Sequence, residues 1–181
     1  ATEVANSDKA GVGSISGSTS DVVAVACNQG FSGSGQAVCQ TDGNFSSVSC
    51  TANACASTEV ANSDKAEVGS ISGSTGDVVA VACNQGFSGS GQAVCQADGN
   101  FSSVSCTANA CAATEVANSD KAGVGSISGS TGDVVAVACN QGFSGSGQAV
   151  CQADGNFSSV SCTANACAAT EVANSDKAGL G

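Results

Sequence analysis

Residues 21–50 read DVVAVACNQGFSGSGQAVCQTDGNFSSVSC. In 21–27 the alternation puts Val23, Val25 and Cys27 on one face of an extended strand and Val22, Ala24 and Ala26 on the other, so one face packs inward. The Gly/Ser cluster at 30–35, GFSGSG, is expected to turn the chain before a second short strand at 36–39, QAVC. DGN at 42–44 turns it again before FSSVSC at 45–50. Short β-type segments separated by turn residues predict an all-β unit. Apolar residues in TEVANSDKA at 2–10 are too sparse for a helix, and the stretch reads as loop.

The same text returns along the chain. The segment ATEVANSDKAGVGSISGS begins at Ala1 and recurs, with few substitutions, from Ser57, from Ala113 and in part from Ala169, which sets a period of 56 residues. The first two copies differ only at 1/57, 11/67, 20/76 and 41/97, and the second and third only at 57/113 and 67/123. Near-identity at a fixed period points to one module used serially. With no initiating Met or leader-like segment, and with its last residue inside a fourth copy, the chain is expected to be processed or a slice of a longer array.

Composition removes several classes of function. The chain has 181 residues, a net charge of 4 minus 15, or −11, and no His, Pro, Trp, Tyr or Met. Without His there is no imidazole base, no Ser-His-Asp or Cys-His arrangement and no His ligand for zinc, so we expect no enzyme activity and no cofactor. The only basic residues are Lys9, Lys65, Lys121 and Lys177. An acidic surface repels phosphate, so nucleic acid is not an expected partner. The apolar run at 22–27 is far below the roughly 20 residues needed to cross a bilayer, and no membrane span is expected.

The cysteines follow the period: Cys27, Cys39, Cys50 and Cys55, then Cys83, Cys95, Cys106 and Cys111, then Cys139, Cys151, Cys162 and Cys167, with gaps of 12, 11, 5 and 28 residues. Regular cysteines in small units of low apolar content read as a disulfide framework in an oxidising compartment. Each copy offers two Phe, one Ile and a few Val as its large apolar residues. A unit of about 60 residues is marginal without staples, and two disulfides at about 2–4 kcal/mol each match the whole folding free energy of a small domain. Zinc is disfavoured, because the Cys50 and Cys55 pair has no second close pair to answer it.

Between Cys55 and Cys111 the order is Cys55, then GDVVAVAC at 76–83, Gly86-Phe87, Gly89, Gly91, Cys95, DGNF at 98–101, Cys106, and a four-residue link to Cys111. This resembles the sushi module, also called the complement control protein or short consensus repeat. That family has apolar residues four and two positions before its second cysteine, a Gly-aromatic pair after it, a Gly-x-aromatic before its fourth and a very short linker. Val79, Val81, Gly86, Phe87, Gly99 and Phe101 fill those places. Phe101 stands where the family usually has Trp, Val81 and Phe87 where it has Tyr, and the family's prolines are absent.

The resemblance implies an elongated tandem array. It comprises an incomplete module at 1–50 lacking its first cysteine, modules at 55–106 and 111–162, and the start of a further one at 167–181. The family's first-with-third and second-with-fourth connectivity implies the pairs Cys27–Cys50, Cys55–Cys95, Cys83–Cys106, Cys111–Cys151 and Cys139–Cys162. Cys39 and Cys167 are then left for a preceding and a following copy, reached either along a longer chain or head to tail between molecules.

Other residue patterns bear on chemistry. Asn44, Asn100 and Asn156 each begin an Asn-Phe-Ser sequon on an expected turn, and are candidates for glycosylation, although such sequons also arise by chance in a Ser-rich chain. Glu59, Asp64, Glu67, Asp77 and Asp98 match no calcium loop and read as a solvated surface, so no metal is expected. The Gly-rich stretch 86–91 is followed by no Gly-Lys-Ser/Thr and reads as a turn rather than a phosphate loop. The six Phe are assigned to the core.

The leading expectation is a non-enzymatic extracellular structural repeat protein, a fibre, stalk or filament at or near a cell surface, that self-associates or continues as the same array and carries glycans. The alternative is a multivalent adhesion or ligand-binding array of sushi-like modules, although the Tyr, Trp and Arg anchors of specific interfaces are missing. Binding to ice or mineral would need a flat, regular Thr array, which a 56-residue spacing does not provide.

Overall fold

The computed structural model describes residues 2–170; the expected start of a further module therefore lies outside the described residues from 171 onward. Among the described residues there is no helix, and each copy repeats the same four short strands. They are β1 (Val22–Val25), β2 (Phe31–Ser32), β3 (Gly35–Val38) and β4 (Thr51–Ala52) in the first copy. The second has β5 (Val78–Val81), β6 (Phe87–Ser88), β7 (Gly91–Val94) and β8 (Thr107–Ala108), and the third β9 (Val134–Val137), β10 (Phe143–Ser144), β11 (Gly147–Val150) and β12 (Thr163–Ala164). This is an all-β, disulfide-stapled tandem array.

Contacts divide the chain into two units, Ala1–Asn84 with Ser88–Thr107, and Gln85–Phe87 with Ala108–Gly181. The first unit holds two copies and the join between them. In its first copy β1 and β3 form an antiparallel pair with Val25 opposite Gly35 and Val22 opposite Val38, and β2 pairs with β4 through Phe31 and Ala52. β5 and β7 repeat the longer ladder. In the second unit β9 pairs with β11 and β10 with β12.

Of the two faces that the alternation separates, the one carrying Val23 and Val25 is turned inward. Val25 is buried and Val23 half-buried, while Val22 is exposed. Val25 meets Ala37 from the facing strand and Val4 and Ile15 from the loop ahead of it. Val60, Ile71, Val81 and Ala93 repeat the cluster in the second copy, and Val116, Ile127, Val137 and Ala149 in the second unit. Ile71 and Ile127 are completely buried.

Three details depart from expectation. The turn expected over 30–35 is partly strand, because Phe31 and Ser32 pair with Ala52 and Thr51 just beyond Cys50. The tight part shrinks to Gly33, whose φ of 116° and whose approach to Ser49, with 2.2 Å between a would-be Cβ and the carbonyl oxygen, admit only glycine. The segment 45–50 is not a ladder strand: Phe45 makes an isolated bridge to Cys39 and the ladder resumes at Thr51. Nor do the Phe form the centre of the core. Phe45, Phe101 and Phe157 are half-buried against the three clusters, and Phe31, Phe87 and Phe143 are half-buried outside them, because the interior between two four-residue strands is filled by Val, Ile and Ala.

The stretch 2–10 is loop, but an ordered one. Asn6 takes a left-handed φ of 59°, the buried Ser7 hydroxyl donates to the Val4 carbonyl at 2.7 Å, and Ser7 bridges Cys27. Asp8 Oδ1 then accepts the Ala26 N–H at 2.9 Å while the Asp8 N–H donates to the Ala26 carbonyl at 3.0 Å. Asp64 with Ala82 and Asp120 with Ala138 repeat this clamp. It holds Val4, Val60 or Val116 over the end of the strand.

The clamp is sensitive to acid. The ammonium of Lys65, 2.6 Å from Asp64, and then the Ala82 N–H hold that carboxyl below its ordinary 3.8. Asp8 and Asp120 are lowered for the same reasons. A carboxyl lowered in the folded state binds its proton more readily when unfolded, so its contribution is present above the ordinary value and lost as pH falls through the folded one. Thermal melts from pH 7 to pH 2 are expected to show a midpoint that holds near neutrality and drops in acid. In the triple variant Asp8→Asn, Asp64→Asn and Asp120→Asn that acid drop should shrink; an unchanged drop would assign it to other carboxyls.

Candidate functional site: the join between copies

Successive copies meet without a linker. In the first unit the Asn53 N–H donates to the Gly30 carbonyl at 2.8 Å, and the Thr75 N–H donates to the Asn53 carbonyl at 2.8 Å. The Thr75 hydroxyl donates to the Gly30 carbonyl at 2.8 Å, with the Asn53 carbonyl at 3.2 Å. Alongside, Cys55 N–H donates to Gly73 and Ala56 N–H to Gly99, both at 2.9 Å. One copy thus contributes Gly30 and the segment 53–56, and the next contributes Gly73, Thr75 and Gly99.

The second unit builds the same join from Gly86, Asn109, Cys111, Gly129, Thr131 and Gly155, with Thr131 Oγ1 2.9 Å from the Gly86 carbonyl. A side chain on Gly86 would place its Cβ 2.8 Å from Thr131 Cγ2 and 2.9 Å from Ala153 Cα, and its φ is +86°. Both close approach and backbone conformation therefore require glycine here. The sequence marks this position only as half of a Gly-Phe pair; Asn53, Thr75, Asn109 and Thr131 carry no local signal of a role.

The cysteines frame the join. The structure brings together Cys27 with Cys50, Cys55 with Cys95, Cys83 with Cys106, Cys111 with Cys151, and Cys139 with Cys162. The 23-residue bridges tie the end of a Val-rich strand to the chain just before β4, β8 or β12. The 40-residue bridges begin within the joining segment itself, at Cys55 and Cys111, so they anchor it to the copy it enters. Cys39 is a buried free thiol and Cys167 an exposed one. Disulfide-rich β modules of this kind belong to the oxidising, extracellular environment, and no helix is long and apolar enough to cross a membrane among the described residues.

The remaining sequence candidates sit at turns. Asn44, Asn100 and Asn156 are exposed, each just after an Asp whose carboxylate accepts its N–H at 2.9 Å. The Asn44 N–H, above all, lowers the Asp42 carboxyl. Asp77 accepts the Ser74 N–H at 2.7 Å, Asp64 belongs to the loop clamp and Glu59 reaches the Gly69 N–H at 3.3 Å, so these acids are spread over separate turns. No group of three metal-ligating side chains forms among the described residues. A cleft beside Ile71 and Phe101 contains one ionisable side chain, Glu59, and its counterpart beside Ile127 and Phe157 contains Glu115. The polar groove between Gln92, Ser103 and Thr107 has none. None of the three offers a paired acid and base.

Gly86→Ala is expected to cost about 1–3 kcal/mol more than Gly99→Ala, since overpacking adds to the left-handed strain only at Gly86. The two φ values, +86° and +87°, are matched, and Gly99 has open space within 4 Å. Chemical denaturation of both variants measures the difference; equal losses would remove the tight join. The chain matches no family model and no curated protein.

Proposed function

We propose that the chain is a non-enzymatic structural repeat protein of the extracellular space, one whose serial copies form a fibre or filament. The observation that carries this reading is the join: no free linker separates the copies, and backbone groups of one are hydrogen-bonded into the next. Modules that contact their neighbours in series gain length without needing a larger core. The sushi-like cysteine order and Gly-aromatic marks fit such an array. Glycans on the exposed Asn44, Asn100 and Asn156 would coat it.

A second reading, multivalent adhesion, draws on one observation. Val12, Val68 and Val124 are 93%, 92% and 95% exposed, at the same turn of each copy. Identical apolar tips repeated along a chain are suited to weak binding amplified by avidity.

Negative-stain microscopy of native material separates the two. Long regular fibres are expected; dispersed molecules carrying a bound partner would favour adhesion and overturn the structural reading. Intact mass of the same material should exceed the sequence mass and fall after glycosidase treatment. A mass equal to 17.0 kDa per 181 residues before treatment would remove the glycans.

A further inference from the structure

Each Asn-Phe-Ser sequon lies in a hairpin that the folded copy closes. In the second copy the Ser102 N–H donates to the Val94 carbonyl at 2.8 Å, and the Val94 N–H donates back to the Ser102 hydroxyl oxygen at 2.9 Å. Further in, Phe101 bridges Cys95, and the Gln96 N–H donates to the Asn100 carbonyl at 2.8 Å. Asp98 Oδ1 accepts the Asn100 N–H at 2.9 Å, and Gly99, with φ +87°, turns the chain. The same pair of bonds closes Ser46 on Val38 around Asn44, and Ser158 on Val150 around Asn156. In all three, the Asn is exposed while the Phe and Ser are half-buried.

Two further restraints act on the second and third sequons. Asn100 lies between Cys95 and Cys106, which are bridged to Cys55 and Cys83; Asn156 lies between Cys151 and Cys162, which are bridged to Cys111 and Cys139. The join adds its own hold, because the Ala56 N–H donates to the Gly99 carbonyl at 2.9 Å and the Ala112 N–H to the Gly155 carbonyl at 2.8 Å. The hairpin is thus tied at both ends and at its turn, and opening it means loosening the stapled unit.

This closure bears on how the sites are modified. A glycosyltransferase that acts on Asn must take the side-chain amide and the hydroxyl two residues on into one active site, since that hydroxyl is what distinguishes a sequon from any other Asn. Here the hydroxyl oxygen already accepts a backbone N–H, and the sequon's backbone is paired with the facing segment. The Asn, by contrast, is exposed beside the turn, where an attached sugar meets solvent.

We propose that the folded copies can carry glycans but cannot receive them: Asn44, Asn100 and Asn156 are modified on the open, reduced chain, and occupancy is fixed by a race between glycan transfer and disulfide closure. The proposal rests on the glycans of the structural reading and says when they are added. The donor is an oligosaccharide linked through a diphosphate to a lipid. The Asn Nδ2 forms a bond to C1 of the first sugar, the bond from C1 to the diphosphate oxygen breaks with its electron pair leaving on the diphosphate, and one amide proton passes to a carboxylate of the transferase.

The test uses the 181-residue chain produced without glycosylation, one part oxidised and folded, the other held reduced by a phosphine. Both receive a purified oligosaccharyltransferase and a lipid-diphosphate-linked oligosaccharide, and mass spectrometry follows glycopeptides against time. The reduced chain should be modified at all three Asn. The folded chain should react roughly 10- to 100-fold more slowly, the worth of the two bonds each Ser makes. Reoxidation of the modified chain should restore all five disulfides with the sugars in place. In the double variant Cys55→Ser and Cys95→Ser, otherwise oxidised, Asn100 should react faster than Asn156. Equal rates in folded and reduced chain, sugars that prevent the disulfides from re-forming, or an Asn100 no faster than Asn156 in the double variant would each overturn the proposal. A reduced chain that takes no sugar at all would sink the glycan reading beneath it; sugar added equally to both forms would sink only the timing.

Discussion

Covalent stapling is the constraint on which the rest of the structure depends. Four buried residues per copy, Val, Ile, Val and Ala, form each central cluster. Burying such side chains is worth about 1.5–3 kcal/mol apiece for the larger ones, set against the entropy of ordering a segment of 56 residues with abundant Gly and Ser. The disulfides offset that deficit largely by restricting the unfolded chain. Their placement also explains why strands of two to four residues suffice. Cys83–Cys106 ties the end of the Val-rich strand β5 to the chain just before β8, where hydrogen bonds alone would fray.

The same economy shapes the join. A linker of ordinary length would leave each copy to stand on its own small core. Here the 40-residue bridges anchor the segment leaving one copy to the body of the next, and Gly30 and Gly86 let backbone meet backbone at contact distance. Thr75 and Thr131 place one hydroxyl where two carbonyls converge. Each inner copy therefore has to fit both the neighbour before it and the neighbour after it.

Much of the fold was legible in the residues. Alternation at 21–27 separated an inward from an outward face without saying which was which, and the 56-residue period identified the unit. What escaped was set by tertiary contact. Phe31 is a turn residue by its Gly/Ser surroundings, yet Ala52, twenty-one positions later, supplies it with a strand partner. Phe45 looked like core by hydrophobicity, yet the smaller Ile15 and Ala37 fill the space between strands and leave the ring half-buried at its edge. Asp64 read as solvated surface, because its bonds to Ala82 span 18 residues. The join was least visible, since Asn53 and Thr75 are common loop residues whose partners lie in different copies.

Residue-resolved hydrogen exchange on segmentally labelled chain tests most directly whether the joins are structural rather than incidental contacts. The N–H groups of Asn53, Thr75, Cys55, Asn109, Thr131 and Cys111 are expected to exchange as slowly as the ladder amides of the Val-rich strands, because both open only with the stapled unit. Exchange of the join amides at the rate of exposed turns, with the strand amides still protected, would contradict it and leave the copies as independent beads.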